Sequence, residues 1–484
     1  MIKRIKLNLN TKLLAILVGA LASSLSACGF VQYEPKAIDR AVNVARFESK
    51  DPSSAAFRQY LLNSGVAENQ LPLQQWGIDE LTYCALFFHP SLDVARAQWR
   101  AAEAAVNTAG VRPIPNLKSK LLSSSGEQST SPYAYEFGID LQIETANKRN
   151  IRIENARHLS EAAKLEIAQM AWGLRNQVAL TLNEYLFNLQ LSRVLQNETV
   201  QREEIVNIFQ KRLGLGEASN VELSTANLLL QAARLELIAR QQNQSVLISK
   251  LAGNLGLSLA KTAAIPLFNE PLNSAAQAQA WDKNVTADVQ ATAVFNRLDI
   301  RIALEKYAAA EALLKLEIAR QYPNIVLSPG YAYAPADKTW SLGLSGLLTL
   351  LQKNKIPIAE ARQLREVEAA QFEALQSRVM TEASIANAEL LQAKKLLDYQ
   401  VNVMAQQQQN TALVSQRFAS GEVDRLTLAL AKLENYVAEK NVVIANYQLK
   451  IALTKLENTL QRPLTTSAKS ISVEDLSFKN SANE

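Results

Sequence analysis

The residue whose setting specifies a chemistry most clearly is Cys28. Leu25-Ser26-Ala27-Cys28 closes a stretch in which Lys3, Arg4, Lys6 and Lys12 precede an apolar run from Leu13 to Ala22. A run of about ten apolar residues is too short to hold a bilayer permanently, and small residues before a cysteine admit a lipoprotein signal peptidase. Removal of residues 1–27 is therefore expected, leaving the Cys28 thiol to carry diacylglycerol and its amine an acyl chain. Gly29 follows, and the aspartate that would divert a lipoprotein from outer-membrane sorting is absent. The anchor is expected in the cell outer membrane of a Gram-negative bacterium.

Other reactive groups are sparse. His89 stands before Pro90 and reads as a helix-boundary residue; His158 reads as a solvated helix position. Cys84 is the one other cysteine, has no disulfide partner once Cys28 is lipidated, and suits a buried apolar role. The sequence has no Gly-rich phosphate loop, no G-x-S-x-G, no H-E-x-x-H and no paired-cysteine metal spacing. Glu154, Arg157, Glu161 and Lys164 alternate in sign at helical spacing, the pattern of a solvated face. The expectation is no enzyme, no cofactor and no metal. Four of the 51 basic residues fall in the leader, leaving 47 against 46 acidic ones, so the formal charge of +5 nearly vanishes on processing. Nucleic-acid binding needs a concentrated cationic excess, which is missing.

The elements that position these residues come in two copies. Leu92-Asp93 opens an Ala-rich helix ending at Pro113-Ile114-Pro115-Asn116, and Leu298-Asp299 opens another ending at Tyr322-Pro323-Asn324. Arg212 to Ser219 recurs as Arg417 to Asp424, and Leu251 and Leu255 recur as Leu456 and Leu460. Each copy reads as a short helix, two strands, a very long helix, a tight turn and a returning helix. Residues 144–213 contain no proline and only Gly173 inside, which gives a helix roughly 100 Å long at 1.5 Å per residue. Its counterpart runs from about Glu360 to Phe418. In the returning helix, Leu426, Leu430, Leu433, Val437, Lys440 and Ile444 suggest one narrow coiled-coil seam. The short and returning helices together match the length of the long one, so stacked end to end they would make a wall of uniform thickness.

Between the helices the period changes to two. Tyr133, Tyr135, Phe137, Ile139, Leu141 and Ile143 alternate with Ala134, Glu136, Gly138, Asp140 and Gln142; Leu117 and Leu121 alternate with Lys118 and Lys120. The second copy repeats this with Ile325, Leu327, Tyr331 and Tyr333, then Trp340, Leu342 and Leu344. An apolar face opposite a polar one suits either a soluble hairpin on a core or a barrel wall between lipid and water. Aromatic residues near strand ends favour the barrel. Four strands cannot close one, so copies of the chain must pool theirs, and three copies would give twelve.

The duplicated unit, with Arg-x-x-x-Gly at both turns (Arg212 to Gly216, Arg417 to Gly421), resembles the TolC family of outer-membrane efflux proteins from Leu92 to Pro463. Ala319-Arg320-Gln321-Tyr322-Pro323 and Pro357-Ile358-Ala359-Glu360-Ala361 resemble stretches of its lipoprotein subgroup. The resemblance implies a mainly α fold with a small β part: a duplicated long-helix coiled-coil tunnel, with two β-hairpins per protomer forming a twelve-stranded transmembrane barrel in a homotrimer. It also implies a periplasmic adaptor and an inner-membrane pump of RND or ABC type as partners, beside outer-membrane lipid. On this reading residues 28–90 form a lipidated arm, extended as far as about Gln75. Residues 91–260 and 297–463 are the two repeats, 261–296 links them at the tunnel middle, and 464–484 is a polar tail. A lipid-anchored coiled-coil scaffold without a pore is the alternative, and an ion-binding protein a third.

The turns form the periplasmic tip. Their carboxylates, Glu217, Glu222, Glu422 and Asp424, are the candidates for narrowing its mouth. The family's best-known gate aspartates, six and nine residues beyond the second turn glycine, are replaced by Thr427 and Leu430. Ser219 and Glu222 read as a capping box with Asp424 in the Ser219 position, and the same Asp424 would form a ring of three carboxylates around a threefold axis.

Overall fold

The computed structural model describes residues 31–123, 133–268, 289–334, 337–346 and 353–464. Cys28, the signal peptide, the hairpin tips, most of the linker and the tail from 465 lie outside them. The chain divides into two compact units, one ending at Ser49 and one beginning at Lys50. In the first, Asp39 caps a nine-residue helix, α1 (Arg40–Glu48), by accepting from the Ala41 amide.

The second unit is mainly helical with a small sheet. It opens with α2 (Ala55–Asn63), α3 (Ile78–Phe88) and α4 (Pro90–Ala109), followed by β1 (Asn116–Ser123) and β2 (Tyr133–Ile143). The 67-residue α5 (Lys148–Gly214) turns into α6 (Asn220–Leu255), and α7 (Leu259–Ala263) ends the first half. The second half runs α8 (Val289–Asn296), α9 (Leu298–Ala319), β3 (Ile325–Ala334), β4 (Asp337–Ser345), the 65-residue α10 (Lys355–Ala419) and α11 (Arg425–Leu460).

Helix contacts define a wall four helices wide. Towards the tip the order is α6, α5, α11, α10; towards the sheet it is α4, α5, α9, α10. The short helices thus stack end to end beside the long ones. Gly256, closing α6 at φ +69°, sits so near the head of α4 that a Cβ there would lie 2.8 Å from His89 Cα. The second junction is tied by the Leu298 amide, which donates to Gln461 Oε1 at 2.6 Å.

Val379, Ala383, Ala386, Leu390, Ala393 and Leu397 of α10 recur at steps of four and three and pack on Ala445, Leu449, Ala452 and Leu456 of α11. The single narrow seam expected for α11 is corrected: Leu430 is 45% exposed, while Ala429, Ala431 and Ala438 are buried. The helix lies between α5 and α10, so two of its sides need small residues where one line of leucines would serve a two-stranded coil.

The extended arm is also corrected. Ser54 caps α2, and Phe57 and Leu61, one turn apart, are buried with Trp76, Cys84 and Phe88 against Val178, Leu182 and Leu251. This cluster thickens the wall at mid-length. Burial pushes the Cys84 thiol far above its ordinary range, leaving it a packing residue.

Candidate functional site

Two regions carry the predicted site residues: the sheet and the turns at the far end of the long helices. The sheet has order β1-β2-β3-β4, antiparallel throughout. Its register places Leu117 beside Ile139, Phe137 beside Tyr331, Leu141 beside Leu327 and Tyr331 beside Trp340 on one face. Trp340, Leu342 and Leu344 are 81, 75 and 72% exposed, and among the described residues no helix covers them. Tyr135 stacks on Tyr333 at 4.9 Å, and Tyr331 lies 4.8 Å from Trp340, so the aromatic residues gather at the sheet end remote from the helices.

The opposite face is polar and small. Lys118 Nζ meets Asp140 Oδ2 at 2.5 Å, and Ser328 Oγ donates to Asp140 Oδ1 at 2.7 Å. Gly138 lies opposite Gly330 in register, and a Cβ on Gly330 would come within 2.8 Å of Ser341 Oγ. Among the described residues, β1 and β4 have no strand on their outer sides and are free edges.

Each strand-to-helix crossing uses two left-handed residues, Ala146 and Asn147 before α5, and Lys353 and Asn354 before α10. Basic groups from the first turns of α5 close the free carbonyls of neighbouring helices. Lys148 Nζ donates to Tyr322 O at 2.5 Å and Asn324 Oδ1 at 2.6 Å; Arg149 Nε donates to Gly110 O at 2.6 Å. Arg152 pairs with Glu144, and Asn354 Nδ2 donates to Glu317 O at 2.8 Å. Sequence reading missed this junction. The Asn-Lys pair recurring before both long helices was the available signal.

At the tip, Arg-x-x-x-Gly has a backbone explanation. Glu217 N donates to Arg212 O at 2.8 Å and Gly216 N to Leu213 O at 3.0 Å; Glu422 and Gly421 repeat both bonds to Arg417 and Phe418. This is a Schellman helix end, with Arg at the third position from the end and Gly just past it at φ +74° and +78°. The arginines then diverge. Arg417 stays within its own turn, donating to Glu422 at 3.2 Å, whereas Arg212 reaches Asp424 Oδ2 of the other turn at 3.4 Å and lies 3.8 Å from Glu217. Arg425 Nε donates back to Glu204 of α5 at 3.1 Å.

Asp424 Oδ1 accepts from the Thr427 amide at 2.8 Å and its hydroxyl at 2.6 Å, so both carboxylate oxygens are engaged. The Thr427 bonds, with Arg212 nearby, hold Asp424 below the usual carboxylate range. The Ser219 amide donating to Glu222 at 2.7 Å does the same there, as does the Ser420 hydroxyl to Glu422. His89 caps α4, its Nδ1 accepting from the Ser91 amide at 3.2 Å. His158 is corrected from solvated to paired, 2.8 Å from Glu305 in the α5–α9 contact, because α9 covers that side of α5. Among the described residues no group of three His, Cys, Asp or Glu could hold a metal, and no helix is long and apolar enough to cross a membrane.

Residues 81–256 match the family described as outer membrane efflux protein. The chain is 22% identical over 423 residues to the pyoverdine export outer membrane protein OpmQ of Pseudomonas putida, covering 80% of this chain and 88% of that one. Its fold matches the Vibrio cholerae outer membrane protein VceC with TM-score 0.64 at 16% identity, over 80% of this chain and 96% of that one. The CusC structure, described as a transmembrane channel, matches with TM-score 0.65 at 15% identity, over 85% and 97%. The family match thus falls on the first repeat, and both repeats share the fold of TolC-like outer membrane channels.

Proposed function

We propose that three copies of this chain assemble into the exit duct of a tripartite efflux system, anchored by lipid on Cys28. The observation that carries this reading is the four-stranded sheet with an exposed apolar face, a polar reverse and two free edges. Unpaired backbone groups at such edges cannot sit in hydrocarbon, so each edge must meet another. Within the chain β1 continues from α4 and β4 leads to α10, which places the free strand edges on the same sides as the free helix edges. One copy's α10 and β4 therefore meet the next copy's α4, α6 and β1. That is a head-to-tail contact, the kind that makes a ring when the rotation between copies closes. Strands of 8 to 11 residues have the length of an outer-membrane barrel wall.

The tip is the surface offered to a periplasmic adaptor, with Leu215 and Val221 strongly exposed beside a groove lined by Ile205, Phe209, Leu229 and Leu433. We read Asp424 as a cap and a cross-turn partner of Arg212, since both oxygens are occupied. The Arg212–Asp424 pair then joins the two turns, the Arg425–Glu204 pair ties the head of α11 to α5, and both help to keep the mouth narrow. The relative named for pyoverdine export supports a secreted small molecule as cargo, with energy supplied by an RND or ABC pump. Extraction tests the duct against the scaffold. With Cys28→Ala, a duct stays in membranes until detergent is added, while a scaffold is released by alkaline carbonate.

A further inference from the structure

The crossings between helices and sheet carry a local excess of cations. The four crossings between helices and sheet, residues 110–116, 144–152, 317–324 and 353–358, hold seven basic residues (Arg112, Lys148, Arg149, Arg152, Arg320, Lys353, Lys355) and two acidic ones (Glu144, Glu317). Hydrogen bonds show that they form one belt: Arg149 reaches Gly110, Lys148 reaches Tyr322 and Asn324, and Asn354 reaches Glu317. Both acids are consumed inside the belt, Glu144 by Arg152 and Glu317 by Arg320. Arg112, Lys353 and Lys355 are exposed and have no ion pair among the described residues. Val111, Ile114, Tyr322 and Ile356 are exposed beside them, which makes the belt amphipathic. The opposite end of the sheet is balanced, with Lys120 and Lys338 against Glu136 and Asp337.

We propose that this belt binds the anionic phospholipid headgroups of the periplasmic leaflet and sets the depth of the barrel in the outer membrane. The proposal rests on the barrel reading above. An apolar sheet face that ends at a row of cations with exposed aliphatic and tyrosine neighbours has the layering of a hydrocarbon-to-headgroup boundary. Ring closure sharpens the demand for anions. It brings the end of α4, with Arg112, towards the head of the neighbouring copy's α10, with its Lys353 and Lys355, so like charges converge at each seam. A lipid phosphate there neutralises them, while its acyl chains extend along the apolar sheet.

The test uses the full lipidated protein, reconstituted in equimolar phosphatidylglycerol and phosphatidylcholine and then stripped in mild detergent, with retained lipid counted by native mass spectrometry. Wild type is expected to retain phosphatidylglycerol preferentially, less so in high salt. The combined Arg112→Gln, Lys353→Gln, Lys355→Gln variant should lose about fivefold in preference per charge removed. Lys118→Gln with Lys120→Gln, on the polar sheet face, should leave it unchanged. A detergent-requiring trimer with no preference, or a triple variant that keeps it, would overturn the headgroup site alone. A chain soluble without detergent would overturn the site and the barrel reading together.

Discussion

Leu342→Arg and Ser341→Arg place the same cation on adjacent residues at the middle of β4, on opposite faces of the sheet. In a lone hairpin in water the two changes are nearly equivalent, because both side chains are exposed and neither supports a core. In a barrel they differ. An arginine facing lipid near the midplane costs about 2 to 4 kcal/mol, while one facing a watery lumen stays hydrated and costs little. Three copies in one ring multiply the lipid-facing penalty to roughly 6 to 12 kcal/mol, comparable with the whole stability of a domain. Membranes from cells expressing each variant, run unheated in detergent gels, should show heat-modifiable trimer for Ser341→Arg and almost none for Leu342→Arg. Equal trimer yields would refute the assigned facing and with it the barrel.

Cys28→Ala should abolish palmitate labelling while the assembled duct persists, and label surviving on the variant would remove the lipid anchor from this account. Gly256→Ala meets both a left-handed backbone and a 2.8 Å contact, so it should destabilise by about 2 kcal/mol or more, whereas Gly216→Ala faces open space and should cost only about 1 to 2. Thermal melts of the two variants separate the cases. Asp424→Asn should keep most of the cap but lose the Arg212 pair, and Asp424→Ala should lose both, so trimer melting temperature should fall in that order; an Asn variant that alters cation preference without touching stability would favour the carboxylate ring. Asp424, Glu222 and Glu422 have depressed pKa values, so their contribution to the tip is complete above the ordinary carboxylate range. It should disappear as pH falls through their folded values, seen as earlier proteolysis at residues 215–222 and 420–427 in acid.

Local pattern made much of this molecule legible. Tyr133 to Ile143 announce a strand with one apolar face because side chains alternate strictly, and the proline-free run before Gly216 announces a helix because nothing interrupts it. The capping box at Ser219 is local too, with all partners inside four residues. What stayed hidden depends on which helices become neighbours. Arg212 and Asp424 are 212 residues apart, and His158 and Glu305 are 147 apart, so no window of sequence contains either pair. Leu430 looks like a seam residue by spacing, yet α11 has partners on two sides and buries alanines there. Phe57 and Leu61 give little periodic signal because their helix is only nine residues long, although Ser54 before them is a proper cap.

The central claim is that each chain supplies one part of a closed wall and cannot complete it alone. Counting copies tests that claim most directly, by native mass spectrometry of the protein extracted from outer membranes in detergent. The account predicts a single species of three chains that requires detergent to stay in solution. A monomer stable without detergent, or an assembly of any other number, would contradict it.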